Sequence, residues 1–182
     1  MKKFLIYLVA SILIITIAAM VGLRSPSVQD RIMVSVISGM INAPNNLPQE
    51  DALSAAVCGS RSPIPSPGRA ETCVMVRAGE NIYIVDIGDG SASNLRNWGI
   101  PFNKIKSVLL THLHSDHISD LADLHLASWI NENREAKLDI YGPDGVNLVT
   151  EGFETAYELD YSFRNTHHGE QIAPLDVAGL NP

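Results

Sequence analysis

The sequence predicts an α+β domain preceded by an N-terminal transmembrane helix, and three observations carry that expectation. Strand patterns come first and are then followed by strands alternating with helical patterns across residues 51–182. The run from Phe4 to Leu23 contains no charged side chain and is mostly Leu, Ile, Val and Ala. Finally, His112-Leu113-His114-Ser115-Asp116-His117 gathers four metal-competent side chains at the end of a strand-like run.

At about 1.5 Å of rise per residue, the apolar run at 4–23 spans roughly 30 Å as a helix, the thickness of a bilayer's hydrocarbon core. Lys2 and Lys3 precede it. The positive-inside tendency therefore leaves residues 1–3 cytoplasmic and the rest of a membrane-anchored chain on the extracytoplasmic side. A cleaved signal and a secreted product form the alternative. A signal normally has a shorter apolar core and a small-x-small end, which Ala18-Ala19-Met20-Val21-Gly22-Leu23 does not offer. Residues 24–50 read as a break at Arg24-Ser25-Pro26, an amphipathic helix from Val28 to Ile41, and a Pro/Asn linker from Asn42 to Pro48.

The domain at 51–182 opens with a strand over Ala52–Val57 and a Pro/Ser/Gly loop to Arg69. Strands over Thr72–Arg77 and Ile82–Asp86 flank a hairpin turn at Ala78-Gly79-Glu80-Asn81. A short helix follows, capped by Ser91 and stopped by Gly99. Next come a strand over Lys106–Thr111 and a helix over His117–Asn131 that packs through Leu121, Leu124, Ala127 and Ile130, leaving His125 on its surface. A strand over Lys137–Tyr141 leads into a helix that begins at Gly142-Pro143 and runs to about Leu159.

The formal net charge is −7, with 13 Lys+Arg against 20 Asp+Glu and no basic run. Such a surface repels a polyanion, so nucleic acid is not an expected partner, whereas small esters remain open. Cys58 and Cys73 are compatible with one disulfide, but the sequence reading prefers two small buried hydrophobes, since spacing cannot prove pairing.

The chemistry centres on the histidine cluster. Alternation along an extended backbone sends His112 and His114 to one side, and a turn into a helix sets Asp116 and His117 beside them. Imidazole and carboxylate together suit zinc, with manganese and iron as competitors. A pair of such ions lowers the pKa of a bridging water and clamps the oxygens of a scissile group, a hydrolytic arrangement.

The pattern H-x-H-x-D-H resembles the signature of the metallo-β-lactamase superfamily. Cys58-Gly59-Ser60-Arg61-Ser62-Pro63-Ile64-Pro65 and Val85-Asp86-Ile87-Gly88-Asp89-Gly90 are similar to elements of its ribonuclease Z/arylsulfatase-like branch, as are Tyr141-Gly142-Pro143 and Asn165-Thr166-His167-His168-Gly169-Glu170. The resemblance implies an αββα sandwich, of which this chain would be the N-terminal half, and two zinc ions in the complete enzyme. His112 and His114 would hold the first ion and Asp116 and His117 the second, with Asp116 also serving as general base. Asp86 would orient the ligand loop. Members of the superfamily take a third His, a bridging Asp and a last His from later segments; here His168, with His167 beside it, and Asp176 are the remaining candidates. The expected activity is metal-dependent hydrolysis of a small sulfate ester or phosphodiester. A ribonuclease Z-like tRNA 3′ endonuclease and a non-catalytic metal- or partner-binding chain are the alternatives. The expected partners are a small-molecule ester and, through the first helix, a membrane; self-association is compatible with the sequence.

Overall fold

The computed structural model describes residues 2–41, 52–130 and 134–182. The chain divides into two compact units, Met1–Pro44 and Asn45–Pro182. The linker expected at Asn42–Pro48 and the expected end of a helix at Asn131 lie outside the described residues.

The first unit is a pair of helices, α1 (Lys2–Leu23) and α2 (Pro26–Ile41). The expectation of one straight span over 4–23 is corrected here. No single helix among the described residues is long and apolar enough to cross a membrane. Ala10–Leu23 and Pro26–Ile32 reach that length and composition only together, with a bend of 80° between them. Arg24 and Ser25 form the break, and Pro26 starts the next helix, where a missing N–H costs nothing.

The second unit is built on one six-stranded sheet in the order β1-β2-β3-β4-β5-β6, so strands adjacent in sequence are neighbours in space. The strands are Leu53–Gly59, Cys73–Ala78, Asn81–Val85, Ile105–Leu109, Leu138–Tyr141 and Leu180–Asn181. β1, β2 and β3 pair antiparallel, while β3, β4, β5 and β6 pair parallel. The β2–β3 connection needs only a two-residue turn at Gly79-Glu80, with Gly79 at φ 57°, whereas β1 and β2 are joined by a long loop. Each parallel step needs a crossover, which α3 (Ser91–Asn97), α5 (Leu121–Trp129) and α6 (Val146–His168) provide.

Alternation along the strands sends Cys73, Met75, Ile82, Ile84, Val108 and Ile140 to one face, where they pack with Leu95, Leu121 and Leu124 of α3 and α5. The opposite face carries Val57, Leu109 and Tyr141, which stay exposed at 62%, 38% and 58%. A smaller cluster joins Trp129 to Ala173, Val177 and Ala178.

Several local expectations are corrected. Ser91 does not cap α3: Gly90 holds the cap position at φ 82°, and the Ser91 hydroxyl donates instead to the Glu71 carbonyl at 2.8 Å. The helix expected over 117–131 is two helices, α4 (Ser115–Ile118) and α5, separated at Ser119-Asp120. Cys58 and Cys73 are joined by a disulfide with Cα atoms 5.0 Å apart, because the β1–β2 register slips between Val57 and Gly59 and brings Cys58 beside Cys73. α6 runs past Leu159 to His168 and stops at Gly169, whose φ of 80° is glycine's territory.

Candidate metal centre at the carboxyl ends of β3 and β4

β3 and β4 run parallel with Val85 opposite Leu109. The segments leaving them, Asp86–Gly90 and Leu110–His117, therefore emerge at the same sheet edge. In sheets with parallel strands this is where side chains converge on ligands. Leu110 donates to Tyr141 at 2.7 Å, so the chain stays pinned to the sheet until just before the motif. His114 then occupies the cap position of α4 in extended backbone, and Asp116 and His117 follow within its first turn.

Asp86 organises the edge. It is the one non-glycine residue among those described with positive φ, 57°, a conformation that costs on the order of 1 kcal/mol and that Asp tolerates better than most side chains. Its buried carboxylate accepts the Thr111 N–H on Oδ1 and the Thr111 hydroxyl on Oδ2, each at 2.8 Å. The same Oδ2 lies 2.9 Å from His117 Nδ1. A carboxylate only accepts, so Nδ1 of His117 carries a proton, and Nε2 is the nitrogen left to face a metal. The Thr111 oxygen, having given its own hydrogen to Asp86, sits 3.1 Å from His112 Nδ1 and accepts from it. His112 is thereby also left with Nε2 to face a metal. One carboxylate and one hydroxyl set the tautomers of two imidazoles.

The rings of His112 and His117 are 3.8 Å apart between centroids, and those of His112 and His114 are 4.7 Å apart. His117 Nε2 lies 3.5 Å from Asp116 Oδ2. Two donors bound tetrahedrally to one zinc at about 2.1 Å stand about 3.4 Å apart, so this pair has the bite of a shared ion. The donor chemistry fits zinc at that edge. No three His, Cys, Asp or Glu side chains among the described residues converge closely enough to enclose a cation.

The five residues expected at the site, Asp86, His112, His114, Asp116 and His117, are thus brought to one sheet edge. His168 is not. It is exposed at the end of α6, where its ring meets His167 at 4.7 Å. Asp176 lies in the turn Leu175–Val177, beside the Trp129 cluster. His125, expected on a helix surface, is 3% exposed. It stacks near Trp129 and Tyr161 and accepts the Gly179 N–H on Nε2 at 3.2 Å.

Thr111 and Asp120 also support the site, with no signal in the sequence, and so does Gly88 within the Val85–Gly90 turn. A Cβ on Gly88 would stand 2.1 Å from the Asp116 carbonyl oxygen, so only glycine lets the Asp86–Gly90 turn press against the motif. The turn is stitched there by Ile87 N–H to the His117 carbonyl at 2.8 Å and Asp120 N–H to the Ile87 carbonyl at 3.0 Å. The Asp120 carboxylate accepts the Ala92 N–H at 2.9 Å, capping α3 from across the fold. Burial pushes its pKa up, against the lowering effect of that hydrogen bond.

A fold with a mixed sheet and a histidine-carboxylate cluster at its parallel edge defines a class, and the comparisons agree with it: residues 66–178 match the metallo-beta-lactamase superfamily model. The chain belongs to the metallo-beta-lactamase superfamily. Among curated relatives it is similar to the ribonuclease Z of Mycolicibacterium gilvum (strain PYR-GCK), 36% identical over 69% of this chain and 44% of that protein. It is also similar to the ribonuclease Z of Mycobacterium bovis (strain BCG / Pasteur 1173P2), 38% identical over 69% and 45%. Among solved structures, human tRNase Z, short form, aligns with a TM-score of 0.52 and 25% identity over 59% of this chain and 40% of that one. The chain spans less than half the length of these relatives.

These likenesses correct the expectation about partners. Net charge, the lack of a basic run and the expected export argue against nucleic acid, yet the relatives are ribonucleases, enzymes named for acting on RNA. A formal charge of −7 is a sum over the whole surface, whereas recognition is decided by the charge facing the ligand. The same likenesses favour the ribonuclease Z alternative over a small sulfate ester.

Proposed function

We propose that the chain carries the metal-binding edge of a ribonuclease Z-type hydrolase, which cuts an RNA phosphodiester with a metal-activated water. The observation that supports this most directly is the Asp86–Thr111 lock, which occupies the Nδ1 atoms of His112 and His117 and leaves their Nε2 atoms for a metal, that of His117 3.5 Å from Asp116. His112 and His114 would hold one zinc ion, and Asp116 and His117 a second; manganese or iron would suit the same donors. When bound, the metal supplies a hydroxide-like nucleophile near neutral pH and neutralises charge on the phosphate. The chain's own contribution is orientation. Asp86 and Thr111 fix the imidazoles, and Asp116 would accept the proton released by water.

The absence of a three-donor cluster among the described residues supports a second reading, a chain that takes up metal without turnover. One experiment separates the two. Purified chain and its His114→Ala variant are loaded with zinc, measured by elemental analysis, and incubated with a structured RNA bearing a 3′ extension. The hydrolase reading expects zinc in the wild type, a zinc content at least halved in the variant, and cleavage by the wild type only. Zinc without cleavage supports the second reading, and equal zinc in both proteins refutes the assigned ligands.

A further inference from the structure

We propose that Glu71 is a positioning residue for the metal edge, acting through the Asp86–Gly90 turn and the end of α4; this inference rests on the ligand assignment proposed for Asp116 and His117. Glu71 lies at the end of the loop that follows β1, well before the motif in sequence, yet it contacts both the Asp86–Gly90 turn and the end of α4. Its Oε2 accepts the Asp89 N–H at 3.1 Å and the Ser119 hydroxyl at 3.4 Å. Its Oε1 pairs with Arg61 at 3.2 Å, and the same guanidinium nitrogen reaches Asp89 at 3.1 Å. Its main chain is tied to the same turn, donating to the Asp89 carbonyl at 2.8 Å and accepting from the Ser91 hydroxyl at 2.8 Å. Arg61 is itself fixed by donating from Nε to the Arg69 carbonyl at 3.1 Å.

Packing makes these contacts act as one unit. A Cβ on Gly88 would meet the Glu71 Cβ at 2.4 Å and the Asp116 carbonyl oxygen at 2.1 Å, so Glu71, the turn and the motif backbone are stacked without slack. The Glu71 and Arg61 side chains are only 12% and 13% exposed, which strengthens the pair relative to one in open water. Ser119 ends α4, the helix that carries Asp116 and His117. Displacing Glu71 therefore frees the turn on one side of the motif and the end of α4 on the other. Glu71 touches no proposed ligand side chain, so its effect travels through backbone placement alone.

The test compares wild type with Glu71→Ala and Glu71→Gln in the whole chain, using two readouts. The first is the NMR ring signals of the histidines in the metal-free protein. The Ala variant should shift or split the His117 and His112 signals and leave the remote His167 and His168 unchanged. The isosteric Gln variant should fall between, a partial rescue that a purely bulk effect on folding would not give. The second readout is zinc affinity by titration, which should drop about 10- to 100-fold in the Ala variant, the range for loss of a group that supports ligands. Unmoved His117 signals, or zinc affinity equal to wild type, overturn the proposal. If the Ala variant does not fold, the Gln variant decides: displaced His117 signals support the proposal, and signals coincident with wild type overturn it. Wild type that takes up no zinc counts against the metal reading, while the ring signals still judge Glu71 independently.

Discussion

His125 shows at the residue scale how one buried ring couples stability to pH. Burial lowers its pKa to about 4, from an ordinary 6.5, with Arg134 and Lys137 adding to the effect and Glu154 and Asp160 opposing it. The Gly179 N–H donates to Nε2, a bond that requires the neutral ring. The unfolded chain therefore binds a proton between pH 6.5 and 4 that the folded chain refuses. The associated stability is present above 6.5 and is lost as pH falls toward 4, about 3 kcal/mol in all. Asp120 has the opposite sign: its raised pKa favours the folded state at low pH and lessens that advantage as pH rises. Urea denaturation from pH 7.5 to 4.5 should show stability falling for wild type and a flatter profile for His125→Gln; parallel profiles would falsify this assignment. The misreading of His125 has a physical origin. The buried stripe of α5 is Leu121, Ala122, Leu124, His125, Ser128 and Trp129, and polar side chains at stripe positions look like surface in sequence. The motif itself was legible because its four donors fall within six residues, whereas Thr111's role depends on Asp86, which only the fold brings near.

Among the elements, the β1–β2 hairpin and its loop bear the most on the site. The disulfide joins residues with a sequence separation of 15 and closes the loop that contains Arg61 and Glu71. Closing a loop of that length stabilises a fold by about 3 kcal/mol, mainly by restricting the unfolded chain. Cys58→Ala/Cys73→Ala should lower the denaturation midpoint of wild type by a corresponding amount. Dithiothreitol should shift wild type toward the double variant and leave the variant unchanged. An unaltered midpoint in both comparisons would mean that the bond does not contribute. The first five strands were legible from alternation and the turn from Gly79, whereas β6, two residues long, reads as loop. The disulfide was not, because it depends on a register slip between Val57 and Gly59 that no pattern of side chains announces. The break after α4 escaped notice for a related reason: Ser119 and Asp120 are spent on Glu71 and Ala92, partners far away in sequence.

Across the whole molecule, the net charge and the proposed function pull in opposite directions, and that tension can be tested. The chain carries 20 acidic against 13 basic side chains, and several cations are already committed to neighbours: Arg61 to Glu71 and Asp89, Lys137 to Glu154, and Arg164 to Asp160. Polyanion binding normally rests on cations that displace condensed counterions. Two divalent ions at the sheet edge would add four positive charges at one place, enough to reverse the local sign while the remaining surface stays acidic. RNA association by this chain should therefore depend on metal for binding itself and not for cleavage alone. In a filter-binding or anisotropy assay at fixed ionic strength, zinc-loaded protein should retain a structured RNA. Chelator-treated protein should lose at least tenfold in affinity, and re-addition of zinc should restore it. Undiminished binding after chelation would locate RNA recognition on protein cations instead, and the histidine edge would then serve cleavage without drawing the substrate in.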